Sequence, residues 1–336
     1  MRPFVLERPA TTEAALQLAA AQGARYLAGG TNLLDLMKIG VEQPDVLIDL
    51  GRIRDAHSAI TIGSDGLTLG ASVHMADAER HEAVRRDYPM LASTLQQAAS
   101  AQLRNMATLG GNVLQRTRCN YFRDPSWRAC NKRDPGTGCA AIPGVNRRLA
   151  VLGVSEHCIA HYPGDFAIGL VALAANVELT GPKGAVRTIP FEQLHRLPGD
   201  SPHIETTLQP GELITRFFVP AGPWTRRSLY VKVRDRASYD FALASAAVAL
   251  QLEADGTVAA ARIGLGGLVA KPWRSHEAEA VLTGRRLDEM SAGQAAEAAL
   301  ADAITHEENA FKPELGRRTL VRALLEAARM EVADGR

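Results

Sequence analysis

Four cysteines form the group of residues in this sequence with the clearest capacity for chemistry. They are Cys119, Cys130, Cys139 and Cys158, and the rest of the chain has none. Between the first three of them, Pro125, Pro135, Gly136 and Gly138 argue against any regular helix or strand. A long irregular loop inside a domain needs a structural or functional reason. We therefore expect a loop that is held together by its thiols.

Three interpretations of these thiols stay open at this point. Ordinary core cysteines would be scattered along the chain, whereas these are confined to one segment. Structural zinc usually shows a close Cys-x2–4-Cys pair, which is absent here. Iron–sulfur clusters accept four thiolates at irregular spacings. Basic side chains that would offset the charge of an anionic cluster, or simply form a solvated loop, are Arg116, Arg118, Arg123, Arg128, Lys132 and Arg133.

Two glycine turns could bring backbone N–H groups close to an anionic ligand. The first, Gly29-Gly30-Thr31-Asn32, lies between a predicted strand and a predicted buried helix. The second is Ala107-Thr108-Leu109-Gly110-Gly111-Asn112, in which Thr108 adds a hydroxyl. A Gly-x-Gly-x-x-Gly fingerprint after the first strand is missing, so the pattern does not favour a nicotinamide-binding Rossmann fold.

Length and composition exclude several classes of protein. The chain has 336 residues, enough for two or three domains, and 38 basic against 37 acidic residues give a net charge of +1. We expect no nucleic-acid partner, because no basic excess exists. No run of 18 apolar residues predicts a membrane span, and the first residues lack the apolar core of an export signal. Four cysteines are too few for a disulfide-framed secreted fold.

The hydrophobic pattern predicts the elements that position these residues. Residues 1–58 read as alternating strands and helices, and a hairpin at Ser64-Asp65-Gly66 begins a different, antiparallel pattern. Helices are predicted at residues 75–86, 89–101 and 166–174. Residues 220–223 read as a linker. Three antiparallel strands follow at residues 229–234, 241–253 and 258–268, and the chain is helical from about residue 275.

Four ordered motifs carry a resemblance to a known family. They are Ala28-Gly29-Gly30-Thr31-Asn32-Leu33-Leu34, the run from Leu103 to Asn112, Pro163-Gly164-Asp165, and Tyr230-Val231-Lys232-Val233-Arg234. With them the chain resembles, over nearly its whole length, the FAD-binding medium subunit of the xanthine dehydrogenase and aldehyde oxidoreductase family of molybdenum hydroxylases. An insertion at about residues 115–160 departs from the common pattern. It resembles the periplasmic aldehyde oxidoreductase type, in which it holds a 4Fe–4S cluster. Tyr162 stands where the family usually has serine.

The resemblance implies an α+β fold with an α/β N-terminal part. The expected FAD-binding domain, of the PCMH and vanillyl-alcohol oxidase type, covers residues 1–221, with subdomains at about 1–58 and 59–221. The expected small α+β C-terminal domain covers residues 222–336, as a three-stranded antiparallel sheet with helices.

The resemblance also implies the cofactor contacts. The first glycine turn would wrap the FAD pyrophosphate and the second would line its other side. Asp165 would bond a ribose or a group near the phosphates, Ile214 would pack on a ring, and Lys232 would lie near the isoalloxazine. The full set of expected FAD contacts is Leu27, Ala28, Gly29, Gly30, Thr31, Asn32, Leu33, Leu34, Thr108, Gly111, Asn112, Asp165, Ile214 and Lys232. The four cysteines would ligate the 4Fe–4S cluster.

The function implied is electron transfer. A large molybdenum-cofactor subunit would oxidise an aldehyde or heterocycle, and a small 2Fe–2S subunit would pass electrons to this chain. We expect export to the periplasm as part of a partner-carried complex, or otherwise a cytoplasmic location. Two alternatives are a stand-alone FAD oxidase of the same flavin fold and a zinc-stapled interaction module.

Overall fold

The computed structural model describes residues 1–332 and builds them around three β-sheets. The α-helices are α1 Thr12–Ala19, α2 Leu33–Lys38, α3 Met75–Arg80, α4 Glu82–Asp87, α5 Pro89–Gln97, α6 Ala101–Arg104, α7 Leu109–Val113, α8 Asn120–Arg123, α9 Phe166–Ala172, α10 His276–Leu282, α11 Glu289–Ala299 and α12 Lys312–Ala328. The strands are β1 Val5–Glu7, β2 Ala24–Leu27, β3 Val46–Asp49, β4 Ile60–Ile62, β5 Gly66–Gly70, β6 Asn176–Thr180, β7 Val186–Pro190, β8 Leu213–Pro220, β9 Ser228–Val233, β10 Ala244–Leu252, β11 Val258–Gly266 and β12 Trp273–Arg274. Short 3₁₀ helices span Leu50–His57, Pro182–Gly184, Phe191–Gln193 and Glu307–Asn309.

The first sheet is a small parallel unit of order β1-β3-β2. Helix α1 begins where the Thr11 side chain accepts a hydrogen bond from the Ala14 backbone N–H and so caps the helix. Its buried residues Ala15 and Leu16 pack against Ile48 of the central strand. The turn between β2 and α2 carries the first glycine pair, so this unit positions one of the two predicted loops.

The second sheet is antiparallel, with order β4-β5-β8-β6-β7. Helix α9 is buried at every residue, as the predicted buried helix requires. Its Phe166 packs on Phe217 of β8, and the helix also packs on β10 and β11 of the third sheet. The single helix predicted at residues 75–86 is wrong. His81, with ψ at 119°, is extended and separates α3 from α4. Helix α7, which carries the second glycine turn, packs between this sheet and α9.

The third sheet, of order β12-β11-β10-β9, forms the C-terminal part together with α10, α11 and α12. All three predicted strands are present. The two-residue strand β12 pairs with Gly264 and Leu265 and adds a fourth strand that the sequence pattern did not predict. Because β9 also packs on α5, the C-terminal sheet is joined to the second unit by buried contacts.

The cysteine-containing insertion is irregular for most of its length. A one-turn helix, α8, follows Cys119, which corrects the expectation of no helix between the first three cysteines. Cys130 and Cys139 face each other in an isolated antiparallel bridge. The insertion has its own small apolar core, to which Leu36 of α2 contributes. Within residues 1–332, no helix is both long and apolar enough to cross a membrane.

Candidate functional site

A cleft of about 590 Å³ lies where the two glycine turns meet. Both turns line the cleft, the second one together with glycines of α7. Ile214 of β8 contributes an apolar surface at one side, and Arg116 closes the side toward the insertion. The cleft is large enough for an extended, drug-sized or larger ligand.

The first glycine turn is shaped by backbone contacts that only glycine allows. Gly30 has φ at +71°, a left-handed conformation that side chains rarely adopt. A Cβ atom on Gly29 would lie 2.0 Å from the carbonyl oxygen of Met106, directly before the second turn, and 3.0 Å from the Cα atom of Ala107 within it. The two turns therefore touch directly, and their backbones face the cleft at close range.

The second turn is held by the hydroxyl of Thr108. Its Oγ1 accepts a hydrogen bond of 3.2 Å from the backbone N–H of Gly111 and caps α7. The Thr108 hydroxyl, which the sequence predicts as a ligand contact, is therefore also the N-cap of α7. Behind the turn, the buried Oδ1 atom of Asn112 has no partner within residues 1–332. The same holds for the Nδ2 atom of Asn32, a residue that lines the cleft. Such buried amide groups are normally satisfied, so the free Nδ2 of Asn32 in the cleft wall fits a polar ligand.

The cleft residues that the sequence did not predict include Tyr26, Arg116 and Glu42. The hydroxyl of Tyr26 donates to the carbonyl of Gly211 at 2.8 Å, and burial raises its pKa, so it stays protonated. Arg116 lines the cleft and donates to Glu42, which also lines it. Tyr26 directly precedes Leu27, and this position in the chain is the only sequence feature that could place it at the cleft. Arg116 and Glu42 come together only in the folded chain.

Most of the predicted FAD contacts line this cleft. Those in its walls are Ala28, Gly29, Gly30, Thr31, Asn32, Leu33, Thr108, Gly111 and Ile214. Leu27, Leu34 and Asn112 lie in the same turns but not in the cleft wall. A Cβ atom on Gly30 would meet the Leu34 side chain at 2.8 Å, so Leu34 supports the turn from behind.

Asp165 and Lys232 lie away from the cleft and bind each other. The Lys232 Nζ donates to the Asp165 carboxylate at 2.8 Å, and the Tyr230 hydroxyl donates to its other oxygen at 2.6 Å. The side chains of Asp165 and Lys232 are 5% and 1% exposed. Burial raises the pKa of the Asp165 carboxyl, and the Lys232 ammonium opposes this rise. Their contacts with FAD therefore stay predictions. Tyr162 donates its hydroxyl to the Val113 carbonyl at 2.9 Å, at the end of α7.

All four cysteines line one small, closed pocket of about 10 Å³. None forms a disulfide. Burial raises the pKa of the Cys119 thiol to about 12 and that of Cys158 to about 11, the latter against the nearby Lys132. Such thiols stay protonated on their own, whereas coordination to a metal deprotonates a thiol outright. The donor set of this pocket therefore fits a group that brings its own positive charge.

The pocket does not have the spacing of a site for one ion. Within the described chain, no three His, Cys, Asp or Glu side chains are close enough together to hold a single metal ion. In a four-iron cluster each thiolate binds a different iron atom. The four cysteine sulfurs therefore lie farther apart than the ligands of a single ion.

The basic residues of the insertion are mostly paired with carboxylates. Arg118 and Arg123 both donate to Asp35 of α2. Lys132 lines the cysteine pocket and donates to Glu205 at 2.6 Å. These side chains hold the insertion against α2 and Glu205. They could also offset the negative charge of a group bound by the thiolates.

Comparisons with known proteins identify the family. Residues 2–222 match the family described as the FAD binding domain in molybdopterin dehydrogenase, and residues 229–331 match the CO dehydrogenase flavoprotein C-terminal domain. The chain is 46% identical to the aldehyde oxidoreductase FAD-binding subunit PaoB of Escherichia coli (strain K12), over 97% of this chain and 99% of that one. It is 28% identical to the carbon monoxide dehydrogenase medium chain of Afipia carboxidovorans, over 90% and 86% of the two chains.

Solved structures agree with this assignment. A Cu,Mo-CO dehydrogenase chain superimposes with a TM-score of 0.75 at 26% identity, covering 98% of this chain and 99% of that one. A chain of quinoline 2-oxidoreductase from Pseudomonas putida 86, at 23% identity, shares the fold with a TM-score of 0.74 over 98% of both chains. The chain therefore belongs to the family of FAD-binding medium subunits of the molybdenum hydroxylases, and it is an oxidoreductase subunit.

Proposed function

We propose that this chain is the FAD- and 4Fe–4S-containing electron-transfer subunit of a heterotrimeric molybdenum hydroxylase that oxidises aldehydes to carboxylic acids. The observation that carries the proposal is a pocket lined by four unpaired thiols beside a cleft built from two glycine turns. The 46% identity to an aldehyde oxidoreductase subunit supports the class of substrate.

The cleft is the proposed FAD site. Backbone N–H groups of the Gly29–Thr31 turn and of Gly111 would bind the pyrophosphate, because both turns present backbone without side chains at close range. Ile214 offers an apolar surface for one of the rings. Bound FAD would supply two-electron and one-electron chemistry, and the protein orients it and tunes its potential. Asp165 and Lys232 remain proposed contacts at the flavin end.

The cysteine pocket is the proposed cluster site. Cys119, Cys130, Cys139 and Cys158 would each supply one thiolate. The Lys132 side chain in the pocket wall would partly offset the negative charge of the thiolates. The pocket is enclosed by the core of the insertion, so a cluster there would be shielded from water.

Two partner subunits complete the proposed path of electrons. A large subunit would hold the molybdenum cofactor and oxidise the substrate, and a small subunit would hold 2Fe–2S centres. Relatives named as medium subunits of nicotine 6-hydroxylase and carbon monoxide dehydrogenase support such an assembly. Electrons would reach the FAD and the cluster of this chain and leave to an external acceptor. The resemblance of the insertion to the periplasmic type supports export of the assembled complex, which fractionation of cells producing all three subunits would test.

Analysis of the purified complex tests the proposal against its rivals. We expect FAD, iron and acid-labile sulfide to copurify with this chain, and a broad iron–sulfur absorbance beneath the flavin bands. Cys139→Ser should lose that absorbance and keep the two flanking sheets folded, because the cysteine loop has its own core. Flavin without iron would support a stand-alone flavin oxidase, and zinc alone would support an interaction module. Full iron and sulfide in every single cysteine variant would overturn the ligand assignment.

A further inference from the structure

Four partly buried charged side chains connect the flavin cleft to the cysteine pocket. We call them the bridging cluster: Glu42, Arg116, Lys132 and Glu205. Arg116 lines the cleft, and Lys132 lines the cysteine pocket. Glu205 accepts hydrogen bonds from both, at 3.0 Å from Arg116 Nε and 2.6 Å from Lys132 Nζ. Their side chains are 12–25% exposed, so water screens these charges little.

Arg116 touches both sites by itself. Its backbone N–H donates to the Asn32 side chain in the first glycine turn at 3.0 Å. Its guanidinium lies 4.5 Å from the ring centroid of Phe122, and this ring lines the cysteine pocket. A displacement of the cysteine loop would therefore move a residue that holds the turn at the cleft.

Helix α2 gives a second connection between the same two sites. It begins directly after Asn32, and its Leu36 is 1% exposed in a core that contains three of the cysteines. Asp35 in the same helix accepts hydrogen bonds from Arg118 and Arg123 of the insertion. The position of the first glycine turn thus depends on packing supplied by the cysteine loop.

We propose that Arg116 is a positioning residue that couples FAD binding to the ordering of the cysteine loop. The inference rests on the proposed function, because it takes FAD and an iron–sulfur cluster as the two occupants. If each occupant orders the same contacts, filling one site strengthens binding at the other by the same factor. The fork of the Arg116 guanidinium is suited to this role, because it binds two carboxylates at once.

The affinity of the full-length chain for FAD tests the coupling. FAD would be titrated into deflavinated protein, with flavin fluorescence as the signal, for the cluster-loaded chain and for Cys139→Ser. We expect the loss of the cluster to weaken FAD binding about 5- to 150-fold, the usual range for coupled sites. In the Arg116→Met background, the Cys139→Ser exchange should change FAD affinity much less. Arg116→Lys should restore part of the coupling, because the ammonium keeps the charge and loses the fork.

Arg128→Met is the matched control. Arg128 is exposed in the same insertion and forms no salt bridge with the described residues. The same substitution there should leave both FAD affinity and iron content unchanged. A similar loss in Arg128→Met would show a general effect of disturbing the insertion, and would overturn the role given to Arg116.

The flavin midpoint potential separates this role from a purely structural one. Glu205→Gln leaves the positive charges of the bridging cluster in excess, and Arg116→Met leaves the negative ones. Because a cation favours the reduced, anionic flavin, the two variants should shift the potential in opposite directions, positive for Glu205→Gln and negative for Arg116→Met. If Arg116→Met does not fold, Arg116→Lys and Glu205→Gln carry the test.

The outcomes distinguish the two proposals. A cluster-loaded wild-type chain that binds FAD as tightly as Cys139→Ser overturns the coupling and leaves the proposed function standing. A wild-type complex with FAD and no iron overturns the proposed cluster, and the coupling with it. Shifts of the flavin potential in the same direction for both charge variants would also contradict the positioning role of Arg116.

Discussion

The buried pair of Lys232 and Asp165 offers a direct test of how this fold is stabilised. Lys232→Met removes an ammonium that lies 2.8 Å from a carboxylate oxygen, with both side chains almost fully buried. The direct attraction at this distance is about 6 kcal/mol at an effective dielectric constant of about 20. Desolvation offsets part of it in the wild type. In the variant, the carboxylate is left buried with only the hydroxyl of Tyr230. We expect the free energy of unfolding to fall by about 3–5 kcal/mol.

The pH dependence of this loss follows from the protonation of Asp165. Burial already raises the pKa of its carboxyl, and loss of the Lys232 charge must raise it further. The folded state then binds the proton more tightly than the unfolded state. Both proteins lose stability as the pH rises above the ordinary aspartate pKa. The deficit of the variant grows between the raised folded-state pKa of the wild type and the still higher one of the variant, by up to ~1.4 kcal/mol per pH unit. Lys232→Met should be closest to the wild type near pH 4 and furthest from it near pH 8.

Urea unfolding of the FAD-loaded chain, followed by tryptophan fluorescence, measures the effect. The double variant Asp165→Asn with Lys232→Met should recover most of the loss, because no buried charge remains unpaired. Arg318→Met is the control, since it breaks the exposed pair with Glu314 on α12 and should change little. An unchanged unfolding curve for Lys232→Met, together with a shifted flavin spectrum or potential, would refute the structural role. It would support instead the predicted contact of Lys232 with the isoalloxazine.

Two further substitutions test the cleft and the C-terminal part. Gly29→Ala should lower FAD occupancy, because its Cβ would clash with the Met106 carbonyl where the two turns touch. The control is Gly293→Ala in α11, where a Cβ meets nothing within 4 Å, and it should keep full occupancy. Equal flavin content in the two variants would show that the close approach of the turns is unnecessary. Lys312→Met should destabilise the chain by about 2–4 kcal/mol, because it leaves two buried carbonyl groups, those of Leu149 and Gly267, and the carbonyl of Arg148 without their donor. Burial lowers the pKa of Lys312 to about 7, so between about pH 7 and pH 10 the unfolded chain binds more protons than the folded chain. The stability of the wild type should therefore rise with pH in that window, and the stability of Lys312→Met should not. A parallel pH profile for both proteins would contradict this.

The cleft was largely predictable because its signals are local. Glycine pairs at a strand-to-helix turn and before α7 mark close backbone approach, and both turns lie where the sequence places them. The four thiols likewise come together in one pocket, as their confinement to one segment indicates. Such signals depend on conformations that few residue types can adopt, so a single sequence is enough to find them.

The features that escaped prediction depend on contacts between distant segments. Arg116 contacts Glu42 and Glu205 only after the insertion folds onto α2. These residues are far apart in the chain, so no local sequence pattern predicts the contacts. The same applies to Asp165, whose salt bridge with Lys232 joins α9 to β9. The family motifs predict this lysine and this aspartate as ligand contacts, and the fold adds a direct contact between them that the sequence does not predict. Such a pairing depends on burial, which is a property of the tertiary structure.

The insertion is built onto the flavin fold without interrupting it. Its two ends meet where the Thr117 hydroxyl donates to the His161 carbonyl at 2.8 Å, and both residues are buried. A loop closed at its neck costs the fold little, because loop-closure entropy grows only slowly with length. Beyond the neck, the insertion rests on α2, the helix that follows the first glycine turn. The insertion therefore packs on α2, which also lies next to the cleft. Helix α2 therefore contacts both proposed sites, and substitutions where it packs on the insertion should affect both together.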